Sequence, residues 1–465
     1  MSTVKLPGKQ IGTFQILDPP LLQFGRGDTL SAIDPKEGLL RCHPLDYNLG
    51  HLSFSRITLG VICLESETPK VIDHLARLTQ QFSPPRGSKT GARYPGFTAL
   101  YPGVTLDMPG GSDDSLVANF SDVNLPSSDE DAFEEIVRRY SAKMQALRDA
   151  QPKPDVIVIQ IPATFESYFN VGGRDLRVAI KAVGAEKLAM TQLLTEESFS
   201  YNVPGYDLCD NMWQLSLAIY VKAGGVPWKI RQTDEGTCFI GIAFRIKRGA
   251  QGQEILIGLA EVFDEFGESV TIKVVEDDFL SDRGYHLSEK KMSDLLALAL
   301  EGYRDEKGTN PQRVVVHKTS FFDDREVTGA CSILEQTVRD RFDLVHVQMS
   351  TVKRLFTLEA FPPKRGTLWS LTESQGLLYT TGFIDEFGTY PGFGIPRPLQ
   401  VNRDFGQTLL DQLAWQVLAL TKMDWNNVNL MNRDPITIEY AGKVAEVLKE
   451  LGRVDRFPKD FRYYI

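Results

Sequence analysis

Two basic residues four apart are the first that could do chemistry. Arg177 and Lys181 fall in "RDLRVAIKAVGAEKLAMTQLL", whose apolar spacing predicts a helix near 173–185, so both side chains share one face. Arg174 and Lys187 add charge nearby. Gln192 follows on a predicted strand, and Lys222 lies one predicted helix later, just before "AGGVPW". Fixed donors of this kind can hold a terminal phosphate, because charge-assisted hydrogen bonds to phosphate oxygens are short and strong. The same spacing also describes an ordinary solvated helix face, and spacing alone favours that plainer reading.

Other chemistry is sparse. Six histidines show no H-x-x-x-H spacing, and His317 lies inside a strand pattern, which points to a structural residue. No G-x-S-x-G or Walker motif occurs, and "GGRDLR" is too short a glycine signal for a phosphate loop. The chain ends "DRFPKDFRYYI". Termini usually fray, but one ending in Phe, Tyr, Tyr and Ile is expected to dock. Docking would bury the Ile465 carboxylate, which then needs a cation beside it. The alternative is a simple apolar tail lying on the surface.

The elements that must position these residues follow from periodicity. Residues 1–54 read as an irregular segment packed on the body of the protein. "RITLGVICL" is a strand and "ETPKVIDHLARLTQQF" a helix. Short strands are expected at "FTALY" and "SLVANF". "SSDEDAFEEIVRRYSAKMQALRDA" is a helix with Ser127 or Ser128 as its cap. "PDVIVIQIP" has the continuous apolar run of a central parallel strand. Alternating strands and helices predict a Rossmann-like sheet over 55–229. After "GGVPW" come three strands in succession, 238–248, 254–264 and 268–276, then alternating helix and strand. That order predicts a ribonuclease-H-like domain over 230–465, in an α/β chain.

Bulk composition narrows the class. The 465 residues are 42% apolar and 24% charged, ordinary for a globular protein. No apolar run is long enough to span a membrane, and the start lacks the pattern of a signal peptide. The five cysteines are scattered, which fits a reducing cytoplasm and argues against a zinc or disulfide framework. A net charge of −10 lowers the odds of nucleic-acid binding, although a basic pocket can sit on an acidic protein.

Four stretches together resemble the Argonaute family, in its short prokaryotic form built of MID and PIWI domains. They are "RDLRVAIKAVGAEKLAMTQLL", "LSLAIYVKAGGVPWKI", "PQRVVVHKTSFFDDRE" and "LALTKMDWNNVNLMNRDPITIEYAGKVAEVL", and the likeness runs from about residue 55 to the end. The resemblance implies a MID pocket for the 5′-phosphate of a guide strand, with Arg177, Lys181, Gln192 and Lys222 at its positions. Arg177 stands where many relatives have Tyr or His. The family also uses the terminal carboxylate, here that of Ile465, to hold a divalent cation such as Mg²⁺ against the guide phosphates.

Slicing Argonautes carry acids that hold two metal ions for in-line phosphodiester cleavage. At the corresponding positions this sequence has Ala243 in "FIGIAFR", Thr319 in "VVVHKTS" and Gly442 in "YAGKVA". Glu289 stands as the candidate loop glutamate. The resemblance therefore implies an inactive PIWI domain that binds a guide, taken to be RNA, and a single-stranded DNA target. It further implies a separate partner with an APAZ domain fused to a TIR, Sir2 or nuclease effector, in defence against plasmids or phage. Two alternatives stand beside this. One is an active nuclease using Asp264, Glu265, Asp323 or Asp324. The other is a protein-interaction scaffold that binds no nucleic acid.

Overall fold

The structure is a computed structural model. It describes all residues except 1, 7–8, 26–30, 50–53, 87, 89–90, 113, 122–123, 202, 204–205, 232–233, 249–253, 278–284, 350, 359–360, 393 and 452–456.

The segment expected to be irregular is largely ordered into elements. β1 (Ser2–Leu6) and β2 (Lys9–Ile16) pair antiparallel, and β3 (Leu22–Gln23) pairs with β4 (Ser31–Ala32). α1 (Pro35–Cys42) follows. Asp34 caps it by accepting from the Lys36 amide at 3.1 Å. Pro35 takes the first helical position, where a missing N–H costs little. Beyond these local pairs, β2 is held by residues near 367 and β3 by Lys229–Ile230, partners that local pattern does not show.

A parallel sheet comes next. Its elements are β5 (Arg56–Ile62), α2 (Thr68–Ala76), α3 (Phe97–Leu100), β6 (Thr105–Asp107), α4 (Asp129–Asp149), β7 (Val156–Gln160), α5 (Leu176–Glu186), β8 (Thr191–Leu194) and α6 (Leu208–Lys222). The strand order is β6-β5-β7-β8, all parallel. β7 is central and wholly buried, as its apolar run requires. Ser128 caps α4, its hydroxyl accepting from the Asp131 amide at 3.1 Å. Two expectations fail here. "FTALY" forms the single helical turn α3, confined between Gly96 and Gly103, which both have positive φ. "SLVANF" gives only isolated bridges, Val61 to Val117 and Leu64 to Phe120.

β9 (Lys229–Ile230) pairs with β3. The larger sheet then begins with β10 (Thr237–Arg248), β11 (Glu254–Phe263) and β12 (Ser269–Asp277), antiparallel in succession as expected. α7 (Glu289–Lys307), β13 (Arg313–Lys318), α8 (Asp324–Val338) and β14 (Phe342–Gln348) follow. β15 (Thr367–Ser370), β16 (Gln375–Leu378), β17 (Leu399–Phe405), α9 (Leu410–Leu420) and α10 (Ile436–Leu451) complete the chain. The sheet has ten strands in the order β1-β2-β15-β16-β17-β14-β13-β10-β11-β12. β10 runs parallel to β13, with Ile242 opposite Lys318. α10 presses on β10 at Gly241, where a Cβ would stand 1.8 Å from the Thr437 carbonyl oxygen. Only glycine allows that approach.

Candidate nucleic-acid interface

Residues from α5, β8, α10 and the chain terminus line one cavity of about 360 Å³. Arg177, Lys181, Gln192 and Ile465 all line it, together with Lys443, Asn426, Glu446 and Tyr464. Helical spacing brings Arg177 and Lys181 to the same wall. Lys222, the last residue of α6, is 3% exposed and does not line the cavity. Its charge is nonetheless felt by the same group, because Lys181 and Lys443 both repel it. Arg174 and Lys187 turn elsewhere. Arg174 pairs with Glu450 and Glu134, and the Lys187 ammonium donates to Gln145 Oε1 at 3.3 Å.

Most charges around the cavity are already compensated. Asp175 caps α5 and holds the Arg177 guanidinium at 2.6 Å, while that guanidinium lies 4.6 Å over the Phe169 ring. Glu446 meets Arg245 at 3.0 Å, and Glu439 meets Lys443 at 2.7 Å. Lys181 and Lys222 have no ion pair or hydrogen bond among the described residues. Burial pulls the Lys181 ammonium down to about 8, with repulsion from Lys443 and Arg177 adding to it and Asp424 opposing. Burial likewise holds Lys222 well below the usual lysine range, helped by Lys181 and Lys443. Two lysines without an ion pair, crowded by further cations, favour an anion with several oxygens.

The terminus docks. Asp460 caps the last turn by accepting from the Arg462 amide at 3.0 Å, and Phe461 stacks on Tyr440 at 5.4 Å. The Tyr464 hydroxyl donates to the Pro458 carbonyl at 2.7 Å, and Ile465 is only 2% exposed. Among the described residues the Ile465 carboxylate makes no ion pair. A buried carboxylate in a cavity that also holds the amides of Gln192 and Asn426 is an oxygen-rich donor set. Such a set suits a hard divalent cation.

The three positions that the family resemblance matched to acids fall on β10, just after β13 and on α10. Ala243 packs with Leu259, Ile272, Ala441 and Val444. Thr319 directly follows the end of β13, on the strand beside β10. Gly442 is on α10, its carbonyl oxygen 3.4 Å from Arg245 Nη2, and a Cβ there would meet nothing within 4 Å. Glu289 is exposed in the first turn of α7, not on a loop, because Ser288 caps that helix.

Two acids of the rival nuclease reading, Asp264 and Asp323, are engaged in structure. Asp264 accepts from the Phe266 and Glu268 amides at 3.0 and 2.9 Å and pairs with Lys307 at 2.6 Å. Asp323 forms a capping box with Glu326 at the start of α8, and Asp324 is exposed in the first turn. His286, Asp323 and Glu326 do cluster, with ligand atoms within 4.8 Å of one another. Glu326 is already saturated, however. It meets Lys318, lies 2.9 Å from His286 Nδ1 and accepts from the Leu287 and Asp323 amides at 3.1 and 3.2 Å. His317 is structural, its Nδ1 2.9 Å from the Thr437 hydroxyl, and burial lowers it to about 3.

Lys443 and Asn426 were missed by sequence reasoning. Lys443 directly follows Gly442 within "YAGKVA", and its place on α10 opposite α5 could be read only from tertiary packing.

No family model matches the chain. Over 232 residues, 50% of the chain, it is 23% identical to the protein argonaute of Aquifex aeolicus (strain VF5), covering 30% of that protein. The structure of Clostridium butyricum Argonaute bound to a guide DNA and a 19-mer target DNA aligns with a TM-score of 0.67 and 17% identity, over 98% of this chain and 55% of that one. A. aeolicus Argonaute gives 0.63 and 15%, over 98% and 55%. Drosophila Piwi gives 0.62 and 15%, over 97% and 56%. The chain thus spans about half the length of these solved structures. The chain therefore shares the fold of these Argonaute structures over nearly its whole length and is similar in sequence to an argonaute over half of it.

Proposed function

We propose that this protein recognises nucleic acid through a guide strand and does not cut the target itself. The 5′-phosphate of the guide, taken as RNA, sits in the cavity of Arg177, Lys181 and Gln192, with Lys222 adding positive potential from behind. A divalent cation such as Mg²⁺ fits beside the Ile465 carboxylate, where it supplies charge neutralisation between that group and the guide phosphates. The observation that carries the reading is the uncompensated Lys181 in one cavity with the Ile465 terminus, with the buried, uncompensated Lys222 close enough to repel it from behind.

The target is a complementary single-stranded DNA. Ala243, Thr319 and Gly442 supply no carboxylates, so two divalent cations would lack the negative charge that offsets their repulsion. Chemistry then belongs to a partner with an APAZ domain and a TIR, Sir2 or nuclease effector, triggered by target pairing in the cytoplasm as a defence against plasmids or phage.

The test is guide binding by the Lys181→Ala variant. A charge-assisted bond is worth roughly 1.5–3 kcal/mol, so affinity for a 5′-phosphorylated guide should fall about ten- to a hundredfold. A guide with a 5′-hydroxyl should be nearly indifferent to the change. Equal losses for both guides would remove the phosphate assignment.

A further inference from the structure

We infer that a second cavity, under the amino-terminal half of β10, docks a protein segment that presents an arginine or lysine flanked by apolar side chains. The cavity measures about 700 Å³ and is walled by the end of β2, by β9 and β10, and by α9. That volume lies within the range of built ligand sites.

Charge defines the first requirement. Asp18, Asp234 and Asp411 line the cavity against one lining cation, Arg231. Arg313 approaches Asp234 only at 3.5 Å and is held more closely by Asp343 at 2.9 Å. An independent observation points the same way. Gln416 lines the cavity and is only 7% exposed. Its Nε2 lies 3.4 Å from Asp234 Oδ2, and its Oε1 is buried with no hydrogen-bond partner. A buried acceptor without a donor is costly, so the site lacks N–H groups and positive charge together. A guanidinium brings five N–H donors in a fixed fork, and an ammonium three.

The rim supplies the second requirement. Ile16 is 59% exposed at the mouth, and Trp415 lines the wall with its indole N–H spent on the Asp18 carbonyl at 3.0 Å. A free small cation would leave this apolar rim uncovered and most of the volume unfilled, whereas a peptide segment covers both. The two cavities share no lining residue, so an occupant here leaves the guide cavity clear. The inference gives the recognition chemistry of the partner in the proposed complex, and it rests on that reading only for the need of a partner.

The test uses the full chain and a fluorescently labelled peptide, Leu-Arg-Phe-Leu with blocked ends, against a twin carrying citrulline in place of arginine. Anisotropy titration should show saturable binding that is at least about tenfold weaker for the neutral twin, the loss expected of one charge-assisted contact. An Asp18→Asn, Asp411→Asn double variant should weaken the arginine peptide by about the same factor while its loading of 5′-phosphorylated guide stays unchanged. Equal binding of both peptides, no saturable binding below millimolar concentration, or competition by agmatine at the peptide's own potency would overturn the inference. Peptide discrimination that persists in a protein unable to load any guide would uphold the inference and remove the function proposed above.

Discussion

Lys318 and Glu326 form an ion pair in which neither side chain meets solvent. It closes the end of β13, one residue before Thr319. The ammonium also lies 4.4 Å over the Phe322 ring. Removing one partner of such a pair typically costs about 3–5 kcal/mol, because the other charge is left buried and alone. Lys318→Met should therefore destabilise strongly in urea unfolding. Adding Glu326→Gln, which keeps a side chain able to complete the capping box at Asp323, should recover most of that loss. A double variant as unstable as the single one would show that the charge is not what matters.

Lys181 makes both stability and guide binding depend on pH. Its folded value of about 8 lies below the ordinary 10.5. Below pH 8 the ammonium is charged in both states, and holding it in the fold costs on the order of 2 kcal/mol after solvent screening. That cost fades as pH rises from 8 towards 10.5, since the unfolded chain then binds more protons. Lys181→Met should stabilise the free protein at pH 7 and lose that advantage by about pH 10.5. Affinity for a 5′-phosphorylated guide should fall in the unmodified protein as pH climbs above about 8. A melting difference between the two proteins that stays constant across this range would rule out the lysine as its source.

The docked terminus gives a third expectation. Residues added after Ile465 would replace its carboxylate with an amide and push against the cavity wall. A carboxy-terminal extension should impair magnesium-dependent guide loading more than an amino-terminal one. Filter binding with and without magnesium checks this, and equal loading by both forms would deny the carboxylate any part.

Guide-loaded protein given a complementary DNA target and Mg²⁺ or Mn²⁺ should leave the target intact. Ala243→Asp alone should not restore cutting, because one acid cannot hold two metals. It should also cost about 1–3 kcal/mol of stability, since the new carboxylate would lie against Leu259 and Val444. Gly442→Asp has open space and should be tolerated. Specific, guide-dependent cleavage on a denaturing gel by the unmodified protein would overturn the reading.

The legible parts of the fold were those with strong local pattern. The apolar run of β7, the Ser128 cap of α4 and the succession β10, β11, β12 all stood in the sequence. So did the shared face of Arg177 and Lys181, which a helical period dictates. Lys443 was not legible, because nothing local says that α10 faces α5 across a cavity. Phe97–Leu100 misled because a short apolar run fits strand or helix equally, and the flanking glycines decided it. β2 was hidden because one of its two partners, β15, lies about 350 residues away, and β1 has only β2 beside it.

That pairing has a consequence for how the protein is made. Ile16 is matched with Thr367, about 350 residues later. At roughly 5–20 residues per second, a ribosome takes on the order of 20–70 seconds to deliver β15 after β2 has emerged. The parallel sheet of β5 to β8 can be complete by then, since its strands lie between. β2 meanwhile has only β1 to pair with, and an unpaired strand edge invites wrong partners. The large sheet is therefore the last part to close, and an interruption of synthesis before residue 367 would leave a finished first lobe tethered to an open edge.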